Sequence, residues 1–197
     1  MSPGTTTCGL SFKVPRQERS EWCWAAVSAG VDRFFRPDST HNQCDIAGSV
    51  LNLECCNGTQ PAQSDACNAP HALHPVLGRY HLLAADPIVT PLAFDRLRTE
   101  IDAGRPVCVL IKWLDGQGQL TDRGHFVALN GYRVTPAQKQ FVSITDPIYG
   151  SSEIAFEQFT SGKGGYRDGR DRTGIGWLDS IHIRYAGDDW LEGHRAR

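Results

Sequence analysis

The sequence is short of the features that mark membrane, nucleic-acid and signal-peptide-bearing proteins. No apolar run among its 197 residues is long enough to span a bilayer, so no membrane role is expected. No stretch is rich in lysine and arginine, and the formal net charge is -2. Both argue against a general polyanion binder and against nucleic acid as a partner. Met1–Cys8 has neither the basic n-region nor the apolar h-region of a signal peptide. If the protein leaves its cell, the expectation is a signal-peptide-independent route. There is no internal repeat and no low-complexity tract. No cysteine pair has the C-x(2–4)-C spacing that lets two thiolates reach one zinc, and the residues call for no metal and no cofactor. What remains, at 40% hydrophobic and 21% charged residues, is the composition of a soluble globular protein. The length suits one domain over residues 1–197, or two small lobes sharing a core.

Cysteine is plentiful by contrast: seven residues, at positions 8, 23, 44, 55, 56, 67 and 108. Four of them form a symmetric pattern, with Cys44 and Cys67 each ten residues from the adjacent pair Cys55-Cys56. A bond between neighbours is strained, so the pattern predicts either 44–55 with 56–67 or 44–56 with 55–67. Free buried thiols are the alternative. Crosslinks would imply folding or action outside a reducing cytosol.

The stretch Val14-Pro-Arg-Gln-Glu-Arg-Ser-Glu-Trp-Cys-Trp-Ala-Ala-Val27 organises the rest. Ser20 reads as an N-cap, Trp22 to Phe35 as a helix, and Pro37 as its stop. Cys23 then lies at a helix N-terminus, where unpaired N–H groups and the macrodipole favour a thiolate. Gln17, six residues upstream, offers an amide donor. Together with the Cys23 backbone N–H it could form an oxyanion hole. The plain alternative is a small buried cysteine in an aromatic core.

Residues 1–13 read as an arm or a short edge strand. Further helices are expected at Asp45–Leu53, His71–Tyr80 and from Thr90-Pro91 to Gly104, with Thr90 as N-cap and Pro91 at the first helical position. Glu54–Pro70 reads as a loop long enough to need pinning. The pattern then turns to strands: Val107–Trp113, His125–Tyr132, Gln140–Asp146, Ser152–Phe156 and Gly176–Tyr185. Gly116–Gly118 reads as a turn, Gly162–Gly174 as a mobile loop and residues 187–197 as a polar tail. Helices first and an antiparallel sheet afterwards predict an α+β fold. The helical lobe spans about 14–104 and the β lobe about 105–186, with a cleft between them.

A thiol nucleophile needs a base. His125 starts a strand directly after Arg123-Gly124 and is the candidate; His182, between Ile181 and Ile183, is the other strand histidine. Asp146 ends the next strand in Ile-Thr-Asp-Pro-Ile-Tyr-Gly, where it could accept a hydrogen bond from the imidazole and fix its tautomer. Asp-Pro is also a common strand terminator. The three residues mean more together than singly, because a triad requires their convergence.

The blocks Gln17…Trp22-Cys23-Trp24-Ala25-Ala26, Gly124-His125-Phe126-Val127-Ala128-Leu129 and Asp146-Pro147 resemble the papain-like cysteine proteases. The nearest likeness is to the bacterial branch typified by the plant-pathogen effector AvrRpt2. The likeness extends over Gln43-Cys44-Asp45-Ile46-Ala47, Cys55-Cys56, Cys67-Asn68 and Ile101–Pro106, and so over roughly residues 14–185. It implies a papain-like fold, with Cys23 as nucleophile, His125 as base and then acid, Asp146 as the orienting group and Gln17 as oxyanion donor. Asp stands where plant and lysosomal relatives carry Asn, and Pro147-Ile-Tyr149 stands where they carry Ser-Trp. Trp22, Trp24 and Tyr149 are candidates to shield the triad from water. Segments 112–123 and 162–174 are candidates to flank the cleft.

The resemblance implies an endopeptidase acting on protein or peptide substrates through a thioester acyl-enzyme, working as a monomer. It also implies a delivered effector or toxin role, with an immunity or activator protein as partner. Two other readings use the same residues. One is an acyltransferase or transglutaminase-like enzyme. The other is a non-enzymatic binding module on a protease scaffold, which the intact set Gln17, Cys23, His125 and Asp146 disfavours.

Overall fold

A computed structural model describes residues 4–58, 60–83, 90–114, 117, 119–161 and 174–182. Helix α1 runs from Cys23 to Phe35. It is followed by α2 (Gln43–Leu51), a two-strand hairpin β2–β3 (Cys56–Asn57 and Gln60–Pro61), a 3-10 turn (Asp65–Cys67), α3 (Leu73–Arg79) and α4 (Phe94–Asp102). The sheet is built from β4 (Val107–Leu114), β5 (Leu120–Val134), β6 (Gln140–Asp146), β7 (Gly150–Ala155) and β8 (Gly174–His182), with α5 (Phe156–Ser161) between the last two. The strand order is β7-β6-β5-β4-β8, and every pairing in it is antiparallel. Strand β1 (Thr6–Gly9) pairs with Gly131–Val134 of β5, beyond the part of β5 that faces β4.

Alternation along the strands sends side chains to two cores. Cys108, Phe126 and Ala128 join α1, α2 and α3 in one, around Trp22, Trp24, Val27 and Val31. Val107, Val109, Ile111, Val127 and Leu129 face the other, against Leu97 and Ile101 of α4 and Phe159 of α5. Burying each such Leu, Ile, Val or Phe contributes about 1.5–3 kcal/mol. Helix α4, counted with the helical half in the sequence, therefore covers the opposite face of the sheet.

Several boundaries move. Helix α1 has Trp22, not Ser20, at its N-cap, with no side-chain cap. Helix α2 starts two residues earlier than expected, because Asn42 and Asp45 form a capping box: the Asn42 side chain accepts from the Asp45 N–H and the Asp45 carboxylate from the Asn42 N–H. Helix α4 starts at Phe94 behind Ala93, not at Pro91; Leu92 is already anchored in the second core before the helix begins. The loop 54–70 contains the β2–β3 hairpin and the 3-10 turn. Two disulfides pin it, Cys44–Cys56 and Cys55–Cys67, which is the second of the two expected pairings. The expected turn at Gly116–Gly118, residues 162–173 of the expected loop, the end of the last strand past His182 and the tail 187–197 lie wholly or largely outside the described residues.

Glycine matters where chains cross. A Cβ on Gly30 would lie 2.9 Å from the Lys13 carbonyl oxygen, and one on Gly131 2.9 Å from that of Cys8. The first lets residues 13–15 cross α1 on the way to the Cys23 turn. The second lets β1 close against β5.

Candidate active site

Cys23 is the first residue of α1, so its N–H has no intrahelical acceptor. It lies on the wall of a cleft of about 750 Å³. Arg16, Gln17 and Arg19 line the same cleft from the preceding turn, with Trp113 and His125 from the sheet and Ile148 and Tyr149 from the β6–β7 turn. The cleft therefore sits between the start of the helical half and one end of the sheet.

His125 is paired with Ile111 in the β4–β5 register and is only 4% exposed. Its Nε2 is 3.0 Å from Asp146 Oδ1. The same carboxylate oxygen accepts the backbone N–H groups of Ile148 (2.6 Å) and Tyr149 (3.0 Å). Asp146 thus ends β6 as a turn residue and also reaches the imidazole. The Cys23 thiol lies close enough to raise the His125 pKa as well, and Nδ1 is the ring nitrogen that Asp146 leaves open. Burial, the largest single influence on His125, opposes its charge. The hydrogen bond to Asp146 and the interactions with Cys23 and the Asp146 carboxylate overcome it and push the imidazole up to about 9.

Gln17 reaches the cleft wall, but its amide hydrogens are taken by backbone carbonyls. Nε2 donates to the carbonyls of Arg19 (2.9 Å) and Ser20 (2.8 Å), which occupies both of its hydrogens. Oε1 is buried and has no hydrogen-bond partner among the described residues. The Gln17 N–H donates to the Pro147 carbonyl at 2.8 Å, which ties this turn to the end of β6.

The tryptophans flanking Cys23 are not cleft residues. Trp22 and Trp24 are both fully buried in the helical core, and their indole N–H groups donate to Cys67 O (2.6 Å) and Ala69 O (3.0 Å). Of the three proposed shields, Tyr149 alone faces the cleft, 38% exposed. The ring that covers the imidazole is Trp113, stacked on His125 at 6.2 Å between centroids and 21° between planes. It belongs to segment 112–123, whose Asp122 and Arg123 also line the cleft, as does the adjoining Gly124. His182 ends β8 opposite Val107, four residues along β4 from the partner of His125. Gln43, given no role by the sequence, is buried and bridges the same turn: it accepts from the Glu18 N–H (3.1 Å) and donates to Arg16 O (2.7 Å).

The other free thiols, Cys8 and Cys108, lie outside the cleft. Cys108 is completely buried, which pushes its thiol well up. Burial and then Asp102 raise that of Cys8. Among the described residues, one cluster has metal-ligand spacing, Cys44, Asp45 and Cys56, and its two sulfurs are joined to each other. No helix among the described residues is long and apolar enough to cross a membrane.

No curated protein is significantly similar to this chain in sequence. Among solved structures, a protein from Bacillus anthracis described as a C39-like peptidase superposes with a TM-score of 0.52 at 13% identity. The match covers 91% of this chain and 98% of that one, so the two share a fold. The family model described as the Peptidase_C39 like family matches residues 10–166, which takes in the Cys23 turn, both disulfides, His125 and Asp146. The chain belongs to that family, whose name denotes cysteine peptidases.

Proposed function

We propose that this protein is a papain-type cysteine endopeptidase in which Cys23, His125 and Asp146 form the catalytic triad. The observation that carries the reading is His125, buried, hydrogen-bonded through Nε2 to Asp146 and facing the same cleft as Cys23. A thiolate beside an imidazolium attacks the substrate carbonyl. The negative charge that develops on its oxygen meets the Cys23 N–H at the start of α1. His125 passes its proton to the leaving amine and leaves a thioester. It then takes a proton from water as that water attacks the thioester, and the acid is released. Asp146 holds the ring through Nε2 in both steps and offsets its charge. Gln17 supplies the second oxyanion donor once its amide lets go of the Arg19 or Ser20 carbonyl. Trp113 and Tyr149 restrict water on two sides of the pair.

A role as a delivered effector or toxin of the AvrRpt2-like kind, met by an immunity or activating protein, fits the family resemblance and the paired disulfides. Protein or peptide is the substrate class.

The test is intact-mass labelling with a peptidyl epoxide at pH 6 to 7, without reductant, followed by cleavage-product analysis on unfolded casein. One rapid adduct on Cys23, lost in His125→Ala, and new carboxyl termini in casein that vanish in Cys23→Ala support the reading. Slow labelling indifferent to His125 refutes an activated pair. Acyl groups appearing on amines instead of new carboxyl termini would assign the same residues to acyl transfer.

A further inference from the structure

The turn that carries the nucleophile holds itself together poorly. Helix α1 has no side-chain cap, and within residues 18–22 the one backbone bond is from Trp22 N–H to Arg19 O, at 3.2 Å. Most of its remaining anchors come from one short segment, residues 62–69. Arg19 donates to the Ala62 carbonyl (2.7 Å). The indoles of Trp22 and Trp24 donate to the Cys67 and Ala69 carbonyls. Between those two carbonyls sits Asn68, whose Oδ1 accepts the Glu21 N–H at 3.0 Å and whose Nδ2 donates to the Ser20 hydroxyl at 2.8 Å. The Ser20 carbonyl in turn holds the Gln17 amide. Asn68 thus grips the Ser20–Glu21 peptide from the side, midway between Gln17 and Cys23.

Segment 62–69 has little regular structure of its own beyond one 3-10 turn ending at Cys67. The Cys55–Cys67 disulfide fixes its end, and Cys55 is tied through its neighbour Cys56 to Cys44 on α2. Asn68 is not among the residues that line the cleft.

We propose that Asn68 is a positioning residue, held in place by the Cys55–Cys67 crosslink, that sets the Ser20–Glu21 peptide and through it the relation of Gln17 to Cys23. The inference rests on the peptidase reading given above. It makes turnover depend on an oxidised pair at 55–67 while the chemistry depends on a reduced thiol at 23. A dithiol reductant would undo the first without touching the second. The disulfide takes up two electrons and two protons and becomes two thiols, and the reductant closes to its own disulfide.

The experiment uses the full chain and two probes. Iodoacetamide, small and uncharged, reports the Cys23–His125 pair; unfolded casein reports turnover. Asn68→Ala should leave the iodoacetamide rate at Cys23 and its pH profile within about twofold of the native protein. Its kcat on casein should fall roughly tenfold to hundredfold, with a smaller change in KM, as expected when reacting groups are displaced by a fraction of an ångström. Asn68→Asp should recover most of the loss, because one carboxylate oxygen still accepts the Glu21 N–H and the other accepts the Ser20 hydroxyl proton. The Cys55→Ser/Cys67→Ser double variant should lose at least as much kcat as Asn68→Ala. A kcat unchanged in Asn68→Ala overturns the proposal. So does an Asp variant no better than Ala, or labelling and turnover that fall in parallel. A native protein that cleaves nothing overturns the peptidase reading itself, and is told apart because the variants then have no activity to compare.

Discussion

Replacing Asp146 by Asn keeps the size of the side chain and an oxygen for the Ile148 and Tyr149 N–H groups, and removes the charge behind His125. In the native protein the imidazole rises from 6.5 to about 9. At about 1.4 kcal/mol per pH unit, that rise is worth about 3 kcal/mol of stability. The sign is that of a group whose pKa is higher folded than unfolded: the contribution is complete below about 6.5 and disappears as pH climbs through about 9. Without the Asp146 charge, burial meets less opposition. The imidazole of Asp146→Asn should fall by at least about 1 pH unit. The stability gap between native protein and variant should be largest near pH 6, at up to about 3 kcal/mol, and should close above pH 9. Urea unfolding at several pH values reads the gap, and proton NMR of the His125 ring reads the titration. If His125 is the acid for the leaving amine, as proposed, the alkaline limb of kcat should move down with it. A gap independent of pH, or a ring that titrates within about half a pH unit of the native one, would refute the electrostatic account.

Trp113→Ala removes the ring stacked on His125 and should cost about 3–5 kcal/mol of stability as well as activity, read by thermal unfolding and casein cleavage, while Trp113→Phe should retain most of both. Gly124→Ala would place a Cβ 2.7 Å from Leu110 Cδ1 and 3.1 Å from Ile111 O beside His125; a loss of about 1–3 kcal/mol with reduced labelling of Cys23 is expected in denaturation and alkylation assays. Non-reducing peptide mapping should join Cys44 to Cys56 and Cys55 to Cys67 and find Cys8, Cys23 and Cys108 free. Each closed loop, with partners 12 residues apart, should contribute about 3 kcal/mol, read as a lower urea midpoint on replacing either pair by serine.

What was legible in the sequence was local. The helix ending at Phe35 and the strand Gln140–Asp146 follow from apolar period and turn residues, and both stand where the pattern puts them. The α2 start was legible too: Asn42-x-x-Asp45 is a capping box with Asp in place of Glu. What was hidden depends on register and on direction around a helix. Successive helical residues point about 100° apart, so Trp22 and Trp24 turn into the core while Cys23 faces the cleft. The ring stacked on the imidazole is instead Trp113, set beside His125 by the β4–β5 pairing, which no local pattern announces. Likewise an amide such as that of Gln17 carries no sign in sequence of which carbonyls it will meet.

The family match begins at Leu10, immediately after β1 ends. A fragment trimmed to that boundary would leave the backbone of Gly131–Val134 facing solvent on the side where Thr6–Gly9 now pairs with it. Four residues of open edge, continuous with the strand that carries His125, are a template for a second molecule. Shortened versions of this protein should therefore tend to associate edge to edge, at the far end of the strand from the chemistry. In the intact chain the arm at residues 6–9 occupies that stretch of β5.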